Sequence, residues 1–169
     1  LLADDRGVPV IRRSVESAVA AAIGPVVVVA GAVELADALS GLDVDLVGNE
    51  DWRDGQSSSL RTGVRAAEQL GAAAVVVGLG DMPDVGADAW RAVAGATGDL
   101  VSASYDGHRS PPVRIAASLW DALPTDGDEG ARALMRLQPD LVSVVEVSGS
   151  GRDVDRAVDL DPVAPSDDD

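Results

Sequence analysis

The chain has 169 residues, enough for one domain with a sizeable core, and 46% of them are hydrophobic, which excludes a disordered chain. Its net charge is −16, from 29 acidic residues against 13 basic ones, all of them Arg, so neither a nucleic-acid backbone nor an anionic membrane is expected as a partner. Cysteine is absent, which excludes disulfides and thiolate chemistry and fits a cytoplasmic protein.

Apolar runs of strand length alternate along the chain with segments of helical period. The pattern predicts helices over 9–23, 32–40, 58–71, 86–96 and 129–137, and strands over 25–31, 43–48, 72–80, 99–105 and 141–147. With continuous valine runs, this alternation predicts a three-layer α/β domain whose sheet is mostly parallel and covered on both faces. We predict a single domain over 1–163 and an acidic, disordered tail over 164–169.

Two groups of aspartates are candidate metal ligands. Asp81 follows the most hydrophobic predicted strand, and ligands bind at the carboxyl ends of strands in such sheets. A carboxylate held there suits Mg²⁺, which takes one or two protein carboxylates plus substrate phosphates, although Asp81 could instead cap a turn before Pro83. Asp153 and Asp155 follow the last predicted strand, where they either share that cation or begin a solvated helix.

A polar loop precedes the predicted helix 58–71 and ends in three serines. Hydroxyl and N–H groups at a helix N-terminus favour an anion, although a serine cap or a serine-rich loop needs no ligand. A second polar loop carries His108 and Arg109; a single His without Cys excludes a His- and Cys-based zinc site. Neither a P-loop nor a G-x-G-x-x-G motif occurs.

Five stretches occur in the order and spacing typical of the MobA-like nucleotidyltransferases: "NEDWRDGQSSSLRTGV", "GDMPDV", "DGHRSPPV", "GDEGAR" and "DVDRAVDL". The chain resembles the molybdenum cofactor cytidylyltransferase branch of this family in particular. The resemblance implies a Rossmann-like nucleotidyltransferase fold and transfer of an NMP, CMP from CTP, to a phosphorylated pterin such as molybdopterin, with release of pyrophosphate. The alternatives are GTP-dependent guanylyl transfer, another nucleotide-linked cofactor or sugar as the product, and a non-catalytic nucleotide- or cofactor-binding relative.

The resemblance also implies roles for individual residues. Asp81 would be the catalytic Mg²⁺ ligand, with Asp153 and Asp155 as further metal ligands. Contacts to the nucleotide or the acceptor would come from Asn49, Trp52, Gly55, Ser58, Ser59, Gly80, Pro83 and Arg109. An NTP, a phosphorylated cofactor acceptor and a molybdoenzyme that receives the cofactor are the expected partners.

One family segment is missing from the sequence. In this family a glycine-rich loop that ends in Lys follows the first strand and binds the triphosphate, but the chain contains neither that loop nor any Lys. We therefore expect that the chain lacks the first strand and this loop of an active enzyme, or that it is a truncated, inactive relative.

Overall fold

A computed structural model describes residues 1–5 and 7–151. The strands are β1 (Asp4–Asp5), β2 (Val8–Pro9), β3 (Val27–Ala30), β4 (Asp45–Gly48), β5 (Ala74–Val77), β6 (Leu100–Tyr105), β7 (His108–Ala116) and β8 (Val142–Glu146). The α-helices are α1 (Val10–Ala21), α2 (Gln56–Gln69), α3 (Ala87–Gly95) and α4 (Ala131–Leu137), with 3₁₀ turns at Trp52–Asp54, Ala117–Ala122 and Pro139–Leu141. None of the helices in this described part is long and apolar enough to cross a membrane.

The sheet topology confirms the predicted α/β class. One sheet has the order β5-β7-β6-β8, and β3 pairs with β4 in parallel in a second sheet. Strands β5, β6 and β8 run in the same direction, because β6 pairs with β8 in parallel and β7 is antiparallel to both β5 and β6. A short antiparallel pair, β1-β2, precedes α1 and has no counterpart among the predicted elements.

The hairpin between β6 and β7 was not predicted. Asp106 and Gly107 connect the two strands with φ values of 52° and 81°, which is typical of the two-residue turn that a hairpin favours. Gly107 N donates to a Glu146 Oε1 at 3.0 Å, which ties the turn to β8. Residues that we read as a polar loop around His108 therefore form the start of a nine-residue strand.

The core lies on both faces of the larger sheet, with β6 at its centre. All six residues of β6 are buried. On one face, Leu100 packs with α2 and α4 through residues such as Leu60 and Leu134, and on the other face Val101 packs with Val93 of α3. The alternation along β6 follows from the two-residue period of a strand and produces the predicted three layers.

The predicted helix over 32–40 is wrong. These residues form turns, although Leu35 and Leu39 are buried against Ile11, Val15 and Val28. Leu39 N donates to Leu35 O, so a single helical hydrogen bond forms there without extending. A segment this short gains little from helical propagation after the unfavourable first turn, and tertiary packing of its two leucines is satisfied without it.

A cavity of about 780 Å³ separates the two sheets. It is lined by β3 and β5, and within the described residues β3 pairs only with β4 and β5 only with β7. Each of these strands therefore turns one edge towards the cavity. All four residues of β5 are only partly buried for this reason, although the run 72–80 was predicted as the most hydrophobic strand.

Candidate functional site

Asp81 lies just past the carboxyl end of β5, on backbone that is anchored by close packing. A side chain at Gly78 would come within 2.4 Å of Trp90, and one at Gly80 within 2.4 Å of Ile11 in α1. Ser14 Oγ of the same helix donates to Gly80 O at 3.1 Å. The close approach of α1 and α3 to this turn thus favours glycine at both positions and packs the backbone that carries Asp81.

The turn that follows Asp81 is held in place by side chains that are buried in the core. Met82 and Val85 are 2% and 4% exposed and belong to the core cluster on the α3 face, and Pro83 is buried. Packing alone explains why a glycine and a proline occupy positions 80 and 83. Contact of Gly80 and Pro83 with a nucleotide stays a prediction. Asp81 itself is partly exposed, as a group that binds a ligand from a rigid frame must be.

The structure brings Asn49, Ser58 and Ser59 together in one hydrogen-bond network. Asn49 is 6% exposed, and its Nδ2 donates to Ser58 Oγ at 2.9 Å and to Ser59 Oγ at 3.0 Å. Its Oδ1 accepts from Asp51 N at 3.1 Å, while Ser58 Oγ donates to Asp51 O and Gly55 O. Both N–H groups of the amide are used, so Asn49 shapes the loop 49–55 around the start of α2.

Within this loop, Trp52 lies at the carboxyl end of β3. A side chain at Gly31, directly after β3, would come within 2.8 Å of Trp52 Cβ, so the tryptophan lies against the backbone there. Arg53 covers its ring with the guanidinium carbon 4.3 Å from the ring centroid. Trp52 is still 36% exposed, so an aromatic surface remains available beside the strand end.

The loop 49–55 and the loop 125–130 are joined through Gly55. Gly127 N donates to Asp54 O at 3.2 Å, and Ser57 N donates to Gly127 O at 3.0 Å. Gly55 has φ 93°, and a side chain there would come within 2.5 Å of both Gly127 O and an Asp128 Oδ1. Contrary to the predicted serine cap, α2 begins at Gln56 with Gly55 before it and no side-chain cap.

Of the other predicted residues, Ser59, Gly80 and Arg109 line the cavity between β3 and β5. Residues that the site prediction omitted also line it, among them Gln56, Glu129 and Arg132. Glu129 forms an ion pair with Arg136, and the hydrogen bond from that guanidinium holds the pKa of Glu129 below its usual value. The G-D-E-G-A-R stretch of the sequence was the signal that could have pointed to Arg132.

The structure tests the metal site only in part, because Asp153 and Asp155 lie outside the described residues. Among the described residues no three His, Asp or Glu side chains are grouped as a metal site would require. Asp81 is the predicted metal ligand that this part of the chain places at the strand end. A hard cation that takes its remaining ligands from water and phosphate oxygens fits such a donor set.

Comparison with known proteins agrees with this architecture. Residues 1–144 match the MobA-like NTP transferase domain family. The purine catabolism protein PucB of Bacillus subtilis (strain 168) is 34% identical over 119 residues, which is 68% of this chain and 58% of PucB. The chain thus spans less than two thirds of the length of this curated relative.

Solved structures share the fold. A nucleotidyl transferase from Methanothermobacter (Mth528) is 30% identical with a TM-score of 0.74, over 88% of this chain and 74% of that one. Rv0371c of Mycobacterium tuberculosis H37Rv, in complex with manganese, is 24% identical with a TM-score of 0.79, over 94% and 87% of the two chains. The same fold occurs at 13% identity in a CMP:2-keto-3-deoxy-manno-octonic acid synthetase complexed with CTP, with a TM-score of 0.71 and coverage of 94% and 87%.

The match over most of the chain and the identity with PucB lead to the same conclusion. The chain belongs to the MobA-like NTP transferase domain family.

Proposed function

We propose that this chain is the nucleotidyltransferase domain of an enzyme that transfers an NMP from an NTP to a phosphorylated small-molecule acceptor. In this reaction an acceptor phosphate oxygen bonds to the α-phosphorus of the NTP, the bond between the α-phosphorus and the bridging oxygen breaks, and pyrophosphate leaves. The observation that carries the proposal is the placement of Asp81 on packed backbone at the carboxyl end of β5, in a chain of this family.

The family match and the Methanothermobacter nucleotidyl transferase support the reaction class. For the nucleotide and acceptor we propose CTP and a pterin phosphate such as molybdopterin, with a molybdoenzyme as the recipient of the product. GTP remains the alternative nucleotide. PucB is named for purine catabolism, which is a reason to include other phosphorylated heterocycles among the acceptors assayed.

We propose Mg²⁺ as the cofactor, held by Asp81 together with Asp153 or Asp155 and by the NTP phosphates. When bound, the ion would neutralise charge on the phosphates and favour departure of pyrophosphate. In a chain of net charge −16, such neutralisation is needed before a triphosphate can approach the sheet edge. The contribution of the protein is to hold the Asp81 carboxylate in place through the packing of Gly78, Gly80 and Met82.

We further propose that a strand pairs with both β3 and β5 in the active protein and leads into the triphosphate-binding loop. Both strands turn an edge into the cavity of about 780 Å³, and exposed apolar side chains, Leu1, Ile23 and Leu70, line it. Backbone N–H and C=O groups along two facing strand edges favour one further strand between them. The upstream reading frame tests this, because it must encode an apolar strand followed by a glycine-rich loop that ends in Lys.

The reaction is tested with the full-length protein from that reading frame. Pyrophosphate release is measured with each of the four NTPs and molybdopterin, for the wild type and for Asp81→Asn. We expect the variant to lose at least about 100-fold in kcat, since removal of about 3 kcal/mol of transition-state charge stabilisation corresponds to two decades in rate.

The matched control is Asp88→Asn, which removes one charge from a side chain that is 97% exposed on α3. It should leave turnover unchanged, and both variants should unfold at the wild-type denaturant concentration. Turnover of Asp81→Asn at the wild-type rate would remove Asp81 from the mechanism. A wild type that binds NTP yet releases no pyrophosphate with any acceptor would favour the non-catalytic alternative.

A further inference from the structure

Most arginines in the described part of this acidic chain have a side-chain partner. Arg12, Arg13, Arg91 and Arg136 form ion pairs with acids, Arg114 donates to a backbone carbonyl, and Arg53 lies over Trp52. Within residues 1–5 and 7–151, the guanidinium groups of Arg61, Arg65, Arg109 and Arg132 make no such contact. Arg65, Arg109 and Arg132 are exposed, and Arg132 lies near enough to Glu129 for the two charges to attract each other.

These four arginines line two cavities, two in each. Arg61 and Arg65 line a cavity of about 260 Å³ together with Glu68 and Asp121, so the acids there offset the charge of the arginines. Arg109 and Arg132 line the larger cavity from β7 beyond the carboxyl end of β5 and from the first turn of α4, not from the edges of β3 and β5 with which the further strand would pair. Among the described residues its one acidic lining residue is Glu129, which pairs with Arg136 and also attracts Arg132. The described lining of the larger cavity thus carries the three arginines Arg109, Arg114 and Arg132 against one acid, a net positive charge, whereas the smaller cavity has two arginines and two acids.

Arg109 and Arg132 lie at the edge of the sheet where Asp81 is found. Arg109 is opposite Ser104 near the carboxyl end of β6, and β7 extends past the carboxyl end of β5, where Val77 pairs with Val113. Arg132 lies in the first turn of α4, beside Gly130, which contacts the Gln56 side chain at the start of α2. Two separate elements thus bring one guanidinium each to the same edge.

Arg132 and Asp81 belong to elements that pack on opposite faces of the larger sheet. The turn that follows Asp81 packs on the α3 face through Met82 and Val85, whereas α4 packs on the opposite face through Leu134. A reaction between two phosphate-bearing molecules needs each to be neutralised at its own position. A cation at Asp81 would serve the NTP, which leaves the arginines on the α4 side for the other substrate.

We propose that Arg109 and Arg132 form the binding site for the phosphomonoester of the acceptor, an inference that rests on the proposed transfer reaction. Guanidinium groups bind phosphate through paired, charge-assisted N–H···O hydrogen bonds. The first turn of α2, from which Gln56 and Ser59 also line the cavity, adds the positive end of a 14-residue helix.

The test is steady-state kinetics of the full-length protein and its variants Arg109→Ala, Arg132→Ala and Arg132→Lys. Each Ala variant should raise the KM for the phosphorylated acceptor about 10-fold or more, as loss of a charge-assisted hydrogen bond predicts, with the KM for the NTP within twofold of wild type. Arg132→Lys should fall between wild type and Arg132→Ala, because a lysine keeps the charge and loses the planar fork. Arg65→Ala removes the same charge from an exposed helix position outside this cavity and should change neither constant.

A rise in the KM for the NTP instead of the acceptor, or no change in either, would overturn the proposal while leaving the transfer reaction in place. If the wild type releases no pyrophosphate, the proposed reaction fails, and titration calorimetry with inorganic phosphate then tests the arginine site by itself. Wild type and Arg65→Ala should bind phosphate equally, and Arg109→Ala and Arg132→Ala at least about fivefold more weakly. Equal phosphate affinity in all four proteins would refute the site.

Discussion

Replacing Gly55 by Ala should separate the loop 49–55 from the loop 125–130. Gly55 has φ 93°, a conformation that L-residues adopt only under strain. The added Cβ would also lie 2.5 Å from Gly127 O and from an Asp128 Oδ1. The Asp128 side chain can rotate away, but Gly127 O is backbone that accepts the hydrogen bond from Ser57 N, so the loop itself must move.

The expected loss of unfolding free energy can be estimated by comparison with Gly71, a glycine at the other end of α2. Gly71 has φ 72° after the end of α2, and a Cβ there would meet nothing within 4 Å. Gly71→Ala carries only the backbone strain, about 1–2 kcal/mol. Gly55→Ala adds overpacking against backbone, about 1–3 kcal/mol more, so its total loss should be about 2–5 kcal/mol.

Urea unfolding of both variants, followed by tryptophan fluorescence, measures these free energies. Gly55→Ala should lower the unfolding free energy by at least about 1 kcal/mol more than Gly71→Ala, which is the overpacking term alone. It should also raise the exposure of Trp52 to acrylamide quenching, because Trp52 lies in the displaced loop. Equal destabilisation by the two substitutions would show that the contact between the loops does not constrain Gly55.

Two further predictions concern buried polar groups. Asn49→Ala should lower the unfolding free energy by about 1–3 kcal/mol, because it removes the three hydrogen bonds that the buried Asn49 side chain makes. Ser59→Ala removes only one of these bonds and is the control; an equal loss in the two variants would contradict the role of Asn49 in shaping the loop. Tyr105 is the only tyrosine, and burial raises its pKa to about 12, so its absorbance titration near 295 nm should have a midpoint well above the ordinary value of about 10. Since the raised pKa belongs to the folded state, the neutral phenol contributes stability below about pH 10 that is lost as the pH rises towards 12, about 1.4 kcal/mol per unit; a native midpoint near 10 would refute this.

Local sequence patterns predicted the α/β class and most elements because they depend on nearby residues. The helical period over 9–23 gave α1 to within two residues, and the β-branched run over 25–31 contains β3. The same reasoning failed over 32–40, where Leu35 and Leu39 have helical spacing but pack from turns. It also missed β7, since Pro111 and Pro112 argue against a strand interior and the Asp106–Gly107 hairpin signal was not used.

The candidate site was predicted residue by residue but not as an arrangement. Asp81 could be placed from the sequence, because the carboxyl end of a strand in such a sheet is where ligands bind. The network of Asn49 with Ser58 and Ser59 was not foreseen, because the pattern gives each residue a capping or binding role and cannot show that they satisfy one another. Arg132 was missed although it belongs to the G-D-E-G-A-R stretch, since the sequence does not show which cavity an arginine will line.

The sequence by itself determined most of the strands and helices, the acidic net charge and the position of Asp81 after a strand. Only the tertiary structure decided how deeply each strand is buried: β5, the most apolar, is only partly buried beside the cavity, whereas β6 is buried throughout although it contains two serines. Only the tertiary structure, too, brought Arg109 and Arg132 to one cavity from different elements. The reason is that composition and period are local properties, whereas burial and the meeting of charged groups depend on which elements become neighbours across the sheet.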